Sequence, residues 1–221
     1  MNVKNKNNKL IILGAGGNAV SVHNVACSAG YEVCYFIDKD KRKKNFLNVP
    51  ILGQMEEIKN IEDYGFALSF GSNFLRERVF NDIISNYRSI KFPKLIHKTA
   101  VISLGASIAE GCIIMPNVVV GPKTKVGKFC ILNTNSCLEH DNNMLDFSSI
   151  GPRVVTGGNV TIGNRSYIAI GAVVKNNTSI DNDSIIGSNS YLNKRVEGNS
   201  IYYGSPAKFI RTRSKEENYI Y

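Results

Sequence analysis

His140 stands between two acids, Glu139 and Asp141, and is the side chain of this sequence best suited to moving a proton. Imidazole titrates near neutrality, so it can take a proton from an amine or a hydroxyl that attacks an acyl carbon. A carboxylate beside it fixes the ring tautomer and stabilises the imidazolium that forms. From spacing alone, a solvated turn histidine reads the same way. The other two histidines, His23 on an expected helix and His97 in an expected linker, read as structural.

A second pattern lies near the start. Residues 9–13 form an apolar run, followed at once by Gly14-Ala15-Gly16-Gly17. Asn18 to Ala29 carries a helical pattern that Gly30 closes. A strand over Glu32–Ile37 then delivers Asp38, 24 residues after Gly14. Strand, glycine turn, helix, strand and acid is the order of a dinucleotide-binding opening, with the turn and helix start facing an anion. A third strand over Phe66–Phe70 and a helix over Phe74–Tyr87 complete a unit that ends near Pro93. That is about one mononucleotide half of such a fold. The glycines alone are a weak signal, since close helix–sheet packing also demands a glycine turn.

The elements that must position His140 are legible from Ala100 to Arg195. Every sixth residue from Ile102 to Leu192 is aliphatic, with Thr156 the lone exception, and no insertion shifts the phase. Two places before each member stands a mostly small residue, among them Cys112, Thr124, Cys130, Ser136 and Ser166. Gly121, Gly127, Gly151, Gly157, Gly163 and Gly187 follow one place after. Neither a helix nor an alternating strand has a period of six, whereas a parallel β-helix of hexapeptides does. Three hexads make a coil, which gives about five stacked coils. The aliphatic column fills the prism, the small residue fits beside the corner, and the glycine is expected to supply backbone conformations closed to other residues. In that phase His140, two places after Leu138, sits at a corner and points outward.

Composition sets further bounds. The 221 residues are 43% hydrophobic and 20% charged, as in an ordinary globular protein, and no apolar run is long enough to span a membrane. The basic start, MNVKNKNNK, precedes an apolar run too short for a secretion signal and is expected to be a disordered lead-in. Five cysteines, odd in number and without a CxxC pair, fit a reducing, cytoplasmic compartment. The net charge of +9 comes from scattered Lys and Arg without a basic-aromatic motif, which argues against nucleic acid. A polyanionic small ligand accounts for it, and so does a charge that serves solubility alone.

The stretches LIILGAGGNAVSV, YFIDKD, FPKLIHKTAVIS, ILNTNSCLEHD, GGNVTIGNRSYIAIGAVV and YYGSPAK, in this order and spacing, resemble the hexapeptide-repeat sugar acyltransferases. The branch is that of sialic acid O-acetyltransferases and bacillosamine-pathway N-acetyltransferases. The resemblance implies a Rossmann-like half domain over 9–93 that binds a nucleotide sugar, then a left-handed parallel β-helix over 94–208 and a polar tail over 209–221. It also implies a homotrimer with acetyl-CoA in the groove between neighbouring β-helices. Carried over by motif, the base falls on His140 and its partner carboxylate on Asp141. Coenzyme contacts fall on Ser149, Gly158, Ile170 and Gly187, and Lys208 stands near the coenzyme phosphates. The nucleotide-sugar site falls on Gly14, Gly16, Gly17, Asn18 and the Asp38-Lys39-Asp40 cluster. Relatives commonly carry His and Lys where this chain has Asn18 and Val20, and a proline where it has Lys98; some carry a second histidine where it has Ser149.

The expected function is therefore acetyl-CoA-dependent N-acetylation of a nucleotide-linked amino sugar, of the 4-amino-deoxyhexose type, for surface glycan synthesis. O-acetylation of a sialic acid or another sugar hydroxyl is the alternative, and a nucleotide-sugar-binding scaffold without catalysis is another. A zinc lyase on the same fold needs three convergent ligands, whereas one histidine of the three lies in the coils. Neither a metal nor a membrane is expected to take part.

Overall fold

The computed structural model describes residues 8–40, 44–87 and 89–217. The lead-in expected before Lys9 therefore lies outside the described residues, apart from Asn8, as does the tail from residue 218.

The apolar run forms β1 (Lys9–Leu13), and the glycine turn leads into α1 (Gly17–Ser28) and β2 (Glu32–Ile37). A short hairpin, β3 (Asn45–Phe46) and β4 (Val49–Leu52), precedes β5 (Gly65–Leu68) and α2 (Asn73–Asn86). The sheet order is β3-β4-β2-β1-β5, with β1 parallel to both β2 and β5. Leu10 and Ile12 join the core on the α1 side, Ile11 and Leu13 that on the α2 side. A strand buried on both faces reads as an unbroken apolar run, as this one does. The β3–β4 hairpin was not expected, because two- and four-residue strands are too short to show a period.

From Val101 to Leu192 the chain climbs in two-residue rungs, each up to Val173–Val174 parallel to the rung 18 residues on, as in Val120–Leu138–Thr156–Val174. Every column member from Ile114 to Leu192 is buried. Each such aliphatic side chain contributes roughly 1.5–3 kcal/mol by leaving water. The small-residue column does more than fit. Its hydroxyls and thiols donate to corner carbonyls one coil on: Cys112 to Gly127 O, Thr124 to Glu139 O, Cys130 to Leu145 O and Ser166 to Asp181 O.

The expected reason for the corner glycines needs correction. Gly121, Gly127, Gly151, Gly157, Gly163 and Gly187 are absent from the left-handed region; from Gly105 to Asn189 it is the residue three places after the column that is left-handed. The glycines are required by close approach instead. A Cβ on Gly121 would lie 2.6 Å from the carbonyl carbon of Glu139, and one on Gly163 2.5 Å from Asn182 N.

The prism has three unlike faces. One displays Val101, Val119, Cys137, Val155, Val173 and Tyr191, a mostly apolar ladder of which the five other than Cys137 are exposed. The second displays Ser107, Lys125, Asn143, Thr161 and Ser179. The third, with Ile113, Ile131, Ser149, Tyr167 and Ile185, is where the α/β unit docks. Val22, Val25 and Ala26 of α1 share a core with Leu95, Ile113 and Ile131. On the α2 side, Phe80 packs against Phe92, Phe129 and Phe147.

Arg76 of α2, 1% exposed, ties the units together. Its guanidinium donates to Phe70 O, Phe129 O and Phe147 O, each at 2.9 Å, and to Asn73 Oδ1 at 2.8 Å and Ser149 Oγ at 3.1 Å. Arg165 adds a bridge to Glu77 at 2.9 Å and a bidentate pair with Asp183. The last strand, Ala207–Thr212, pairs antiparallel with Ser200–Gly204, so part of the expected polar tail is structured.

Candidate active site

His140 leaves the coil at the corner between the apolar face and the polar face. Asp141 beside it occupies a left-handed position, φ 56°, which an aspartate tolerates better than most residues. Its Oδ2 lies 2.8 Å from His140 Nδ1. The carboxylate can therefore hold a proton on Nδ1 and leave Nε2 as the basic nitrogen. The two side chains are 60% and 50% exposed, so a substrate can reach them.

The imidazole lies against Gly158, its neighbour one coil on. A Cβ there would fall 2.4 Å from His140 Cε1 and 2.5 Å from Nε2. Gly158 has an ordinary φ, so glycine is needed here for the ring and not for the backbone. Gly158→Ala is therefore expected to push the ring aside and lower kcat roughly tenfold to a hundredfold, with a near-unchanged melting temperature. Steady-state kinetics beside a thermal melt check this; full turnover would contradict it. Nearby, the Cys137 thiol is pushed up to about 11 by burial and then by Glu139. It stays protonated at neutral pH and offers no competing nucleophile.

The other expected coenzyme residues gather elsewhere in the chain. Ile170 is 52% exposed at the corner between the docked face and the apolar face. Gly187 lies at the same corner one coil on, against Tyr203, and Lys208 pairs with Tyr203 across the terminal hairpin. One chain thus carries the two groups along opposite edges of its apolar face. Ser149 belongs to neither edge. It is buried under α2, bonded to Asn73 at 2.6 Å and to Arg76.

At the carboxyl ends of β1, β2, β4 and β5 a cavity of about 560 Å³ opens. Leu13, Ile37, Phe70 and Val79 line it, with Asp38 and Lys39 at the strand end, and Tyr87 donates to Glu56 at 2.6 Å on its wall. Gly14 is forced to be glycine twice over: its φ is 96°, and a Cβ there would stand 2.7 Å from Ser69 Oγ. Gly16 and Gly17 differ: a Cβ on either meets nothing within 4 Å. The fold does not ask for glycine there, and the space above the helix start stays open.

Asp38 accepts from Ala15 N at 2.9 Å and from Asp40 N at 2.9 Å. It therefore braces the glycine turn as well as facing the cavity. Asn18 reaches Ser69 O at 3.1 Å and joins the start of α1 to the end of β5. The cavity wall from α2 and the loop after β4 was missed from sequence, because its members Met55, Val79 and Ile83 read as ordinary core residues.

Residues 9–83 match the family model of the PglD N-terminal domain. GDP-perosamine N-acetyltransferase of Escherichia coli O157:H7 is 28% identical over 110 residues, covering 50% of this chain and 49% of that protein. The chain thus spans about half the length of this curated relative. A histidine-to-alanine variant of GDP-perosamine N-acetyl transferase from Caulobacter crescentus, in complex with CoA and GDP-perosamine, superposes with a TM-score of 0.86. At 24% identity, covering 92% of this chain and 97% of that one, this is a likeness of fold. The acetyltransferase domain of PglB from Neisseria gonorrhoeae FA1090 also gives 0.86, at 27% identity over 92% and 100% of the two chains. In fold and in the order of its parts, a PglD-type N-terminal domain followed by a parallel β-helix, this chain resembles the hexapeptide-repeat sugar acetyltransferases.

Proposed function

We propose that the protein transfers the acetyl group of acetyl-CoA to the amine of a nucleotide-linked amino sugar, of the 4-amino-deoxyhexose type, in surface glycan synthesis. The observation that carries this reading is the exposed His140–Asp141 pair seated on Gly158, on a chain whose α/β unit opens a cavity beside a glycine turn. The glycine turn and the open start of α1 suit a diphosphate, whose charge the helix N-terminus favours. Gly14, Gly16, Gly17, Asn18, Asp38, Lys39 and Asp40 would form that subsite.

His140 Nε2 takes the proton as the sugar nitrogen attacks the thioester carbonyl. The carbon–sulfur bond then breaks, and the imidazolium returns the proton to the coenzyme sulfur. Asp141 stabilises the charged ring in between. Backbone amides are the donors available for the tetrahedral oxyanion.

The active unit in this reading is a homotrimer. The exposed ladder of Val101, Val119, Val155, Val173 and Tyr191 is a large apolar strip for a monomer to leave in water. Packing copies edge to edge around a threefold axis brings the His140 edge of one copy to the Ile170–Gly187–Lys208 edge of the next. A coenzyme in that groove would meet both groups, with Ser149 outside it. No helix among the described residues is long and apolar enough to cross a membrane, and the reading places the reaction in the cytoplasm, where five unpaired cysteines are at home.

Mass spectrometry of acetyl-CoA incubated with the protein and a panel of nucleotide-linked 4-amino sugars and sialic acids tests this. One acetyl group gained by an amino sugar is the expected result. Gain only on a hydroxyl acceptor would make the protein an O-acetyltransferase. No product, with no coenzyme binding, would leave a nucleotide-sugar-binding scaffold.

A further inference from the structure

The turn that carries His140 interrupts a pattern kept by its neighbours. From Ser103 to Lys175, the amide one place after the column donates to the column carbonyl one coil on: Ser103 to Val120, Gly121 to Leu138, Leu145 to Ile162, Gly157 to Val174. The Glu139 amide instead donates to the hydroxyl of Thr156, at 3.3 Å. Thr156 is the single non-aliphatic member of its column and is fully buried.

The carbonyl side of Glu139 is held as well. Thr124 Oγ1 and Asn142 Nδ2 each donate to Glu139 O at 2.6 Å. Asn142, 1% exposed, also donates to Gly157 O at 3.1 Å and accepts from Val160 N at 2.9 Å. Side chains inside the prism therefore hold both peptide groups of Glu139 and the peptide next to Gly158. These are the backbone groups that support the imidazole and the surface it rests on.

We propose that Thr156, backed by Asn142, is a positioning residue of the acetyl transfer. Its hydroxyl takes the Glu139 amide while the Leu138–Thr156 rung keeps its register, and so fixes the direction in which His140 leaves the coil. The inference rests on the reading of His140 as the base. The fold itself gives no reason for the hydroxyl: valine has nearly the same shape, completes the aliphatic column, and buries no polar atom. With valine, the Glu139 amide is free to take the ladder carbonyl used at the other corners, which shifts the turn. Catalysis is sensitive to shifts of that size, since misplacement by about 1 Å costs roughly a hundredfold.

The test compares Thr156→Val and Thr156→Ser with the unaltered full-length protein and with His140→Ala, using acetyl-CoA and the accepted sugar. Thr156→Val is expected to melt at the same temperature or higher, with kcat down roughly tenfold to a hundredfold and both KM values nearly unchanged. Thr156→Ser loses a buried methyl and melts lower, yet keeps most of kcat. A merely structural role predicts the reverse pairing of stability and rate. Wild-type kcat in Thr156→Val, or equal slowness in Thr156→Ser, overturns the inference while the loss in His140→Ala leaves the transferase reading intact. Full turnover in His140→Ala removes both. Independently of turnover, a crystal structure of Thr156→Val should show the Glu139 amide on the carbonyl of residue 156; an unmoved amide and imidazole would overturn the inference.

Discussion

Replacing His140 with alanine is expected to lower kcat for acetyl transfer by roughly 10²–10⁴-fold, with folding and acetyl-CoA binding preserved. The side chain is 60% exposed, and its hydrogen bond runs to the similarly open Asp141. Its removal therefore leaves no cavity and no buried group without a partner. The size of the loss also reports on the acceptor. A hydroxyl must shed its proton as it attacks, so the upper end of the range would follow. A neutral amine attacks unaided and needs the base only to collect the proton afterwards, so the lower end would follow. Steady-state rates for both substrate classes, each referred to the unaltered protein, read this directly. Turnover close to that of the unaltered protein would remove His140 from the mechanism.

Replacing Arg76 with methionine is expected to cost about 3–5 kcal/mol. Methionine keeps much of the volume but none of the donors. The carbonyls of Phe129 and Phe147 would lose their guanidinium partner in a region sealed from water, and that of Phe70 at the edge of the cavity. Each buried acceptor left without a partner costs roughly 1–3 kcal/mol, offset in part because a buried charge is also removed. Whole domains are stable by only about 5–15 kcal/mol, so the loss is large. Its character matters as much as its size. The column core is independent of Arg76, and the α/β unit meets the prism through α1 and α2, so the two should melt apart, in two steps where the unaltered protein shows one. Calorimetry follows both; a single transition at the original temperature would show that Arg76 does not join the units.

The β-helix was legible because its cause is periodic. A column that fills a prism must repeat at every coil, and a sequence displays repetition directly. The phase then located the corner of His140 without knowledge of any coordinate. The cause of the corner glycines was not legible, because a left-handed angle and a close approach both select glycine, and only contacts such as that of Gly121 with Glu139 tell them apart. The docking of the α/β unit left a trace that only geometry makes readable. Phe129, Phe147 and Arg165 occupy left-handed positions that elsewhere hold mostly Asn, Asp, Lys or Gly. Large side chains are strained there, and the three stand at one corner, one above another, where α2 lies. Arg76 looked like any charged residue on an exposed helix, since nothing local distinguishes a guanidinium in water from one that binds carbonyls 53 and 71 residues away. Thr156 was visible as an anomaly, but its reason lay across the coil.

A structure of the protein with CoA and the nucleotide-linked amino sugar tests most directly that the Glu139–Asn142 turn is the reaction centre. The sugar nitrogen is predicted to lie within about 3.2 Å of His140 Nε2, opposite the coenzyme sulfur, with the nucleotide held at the Gly14–Gly17 turn. A sugar seated away from His140, with the coenzyme bound on another face of the prism, would contradict it.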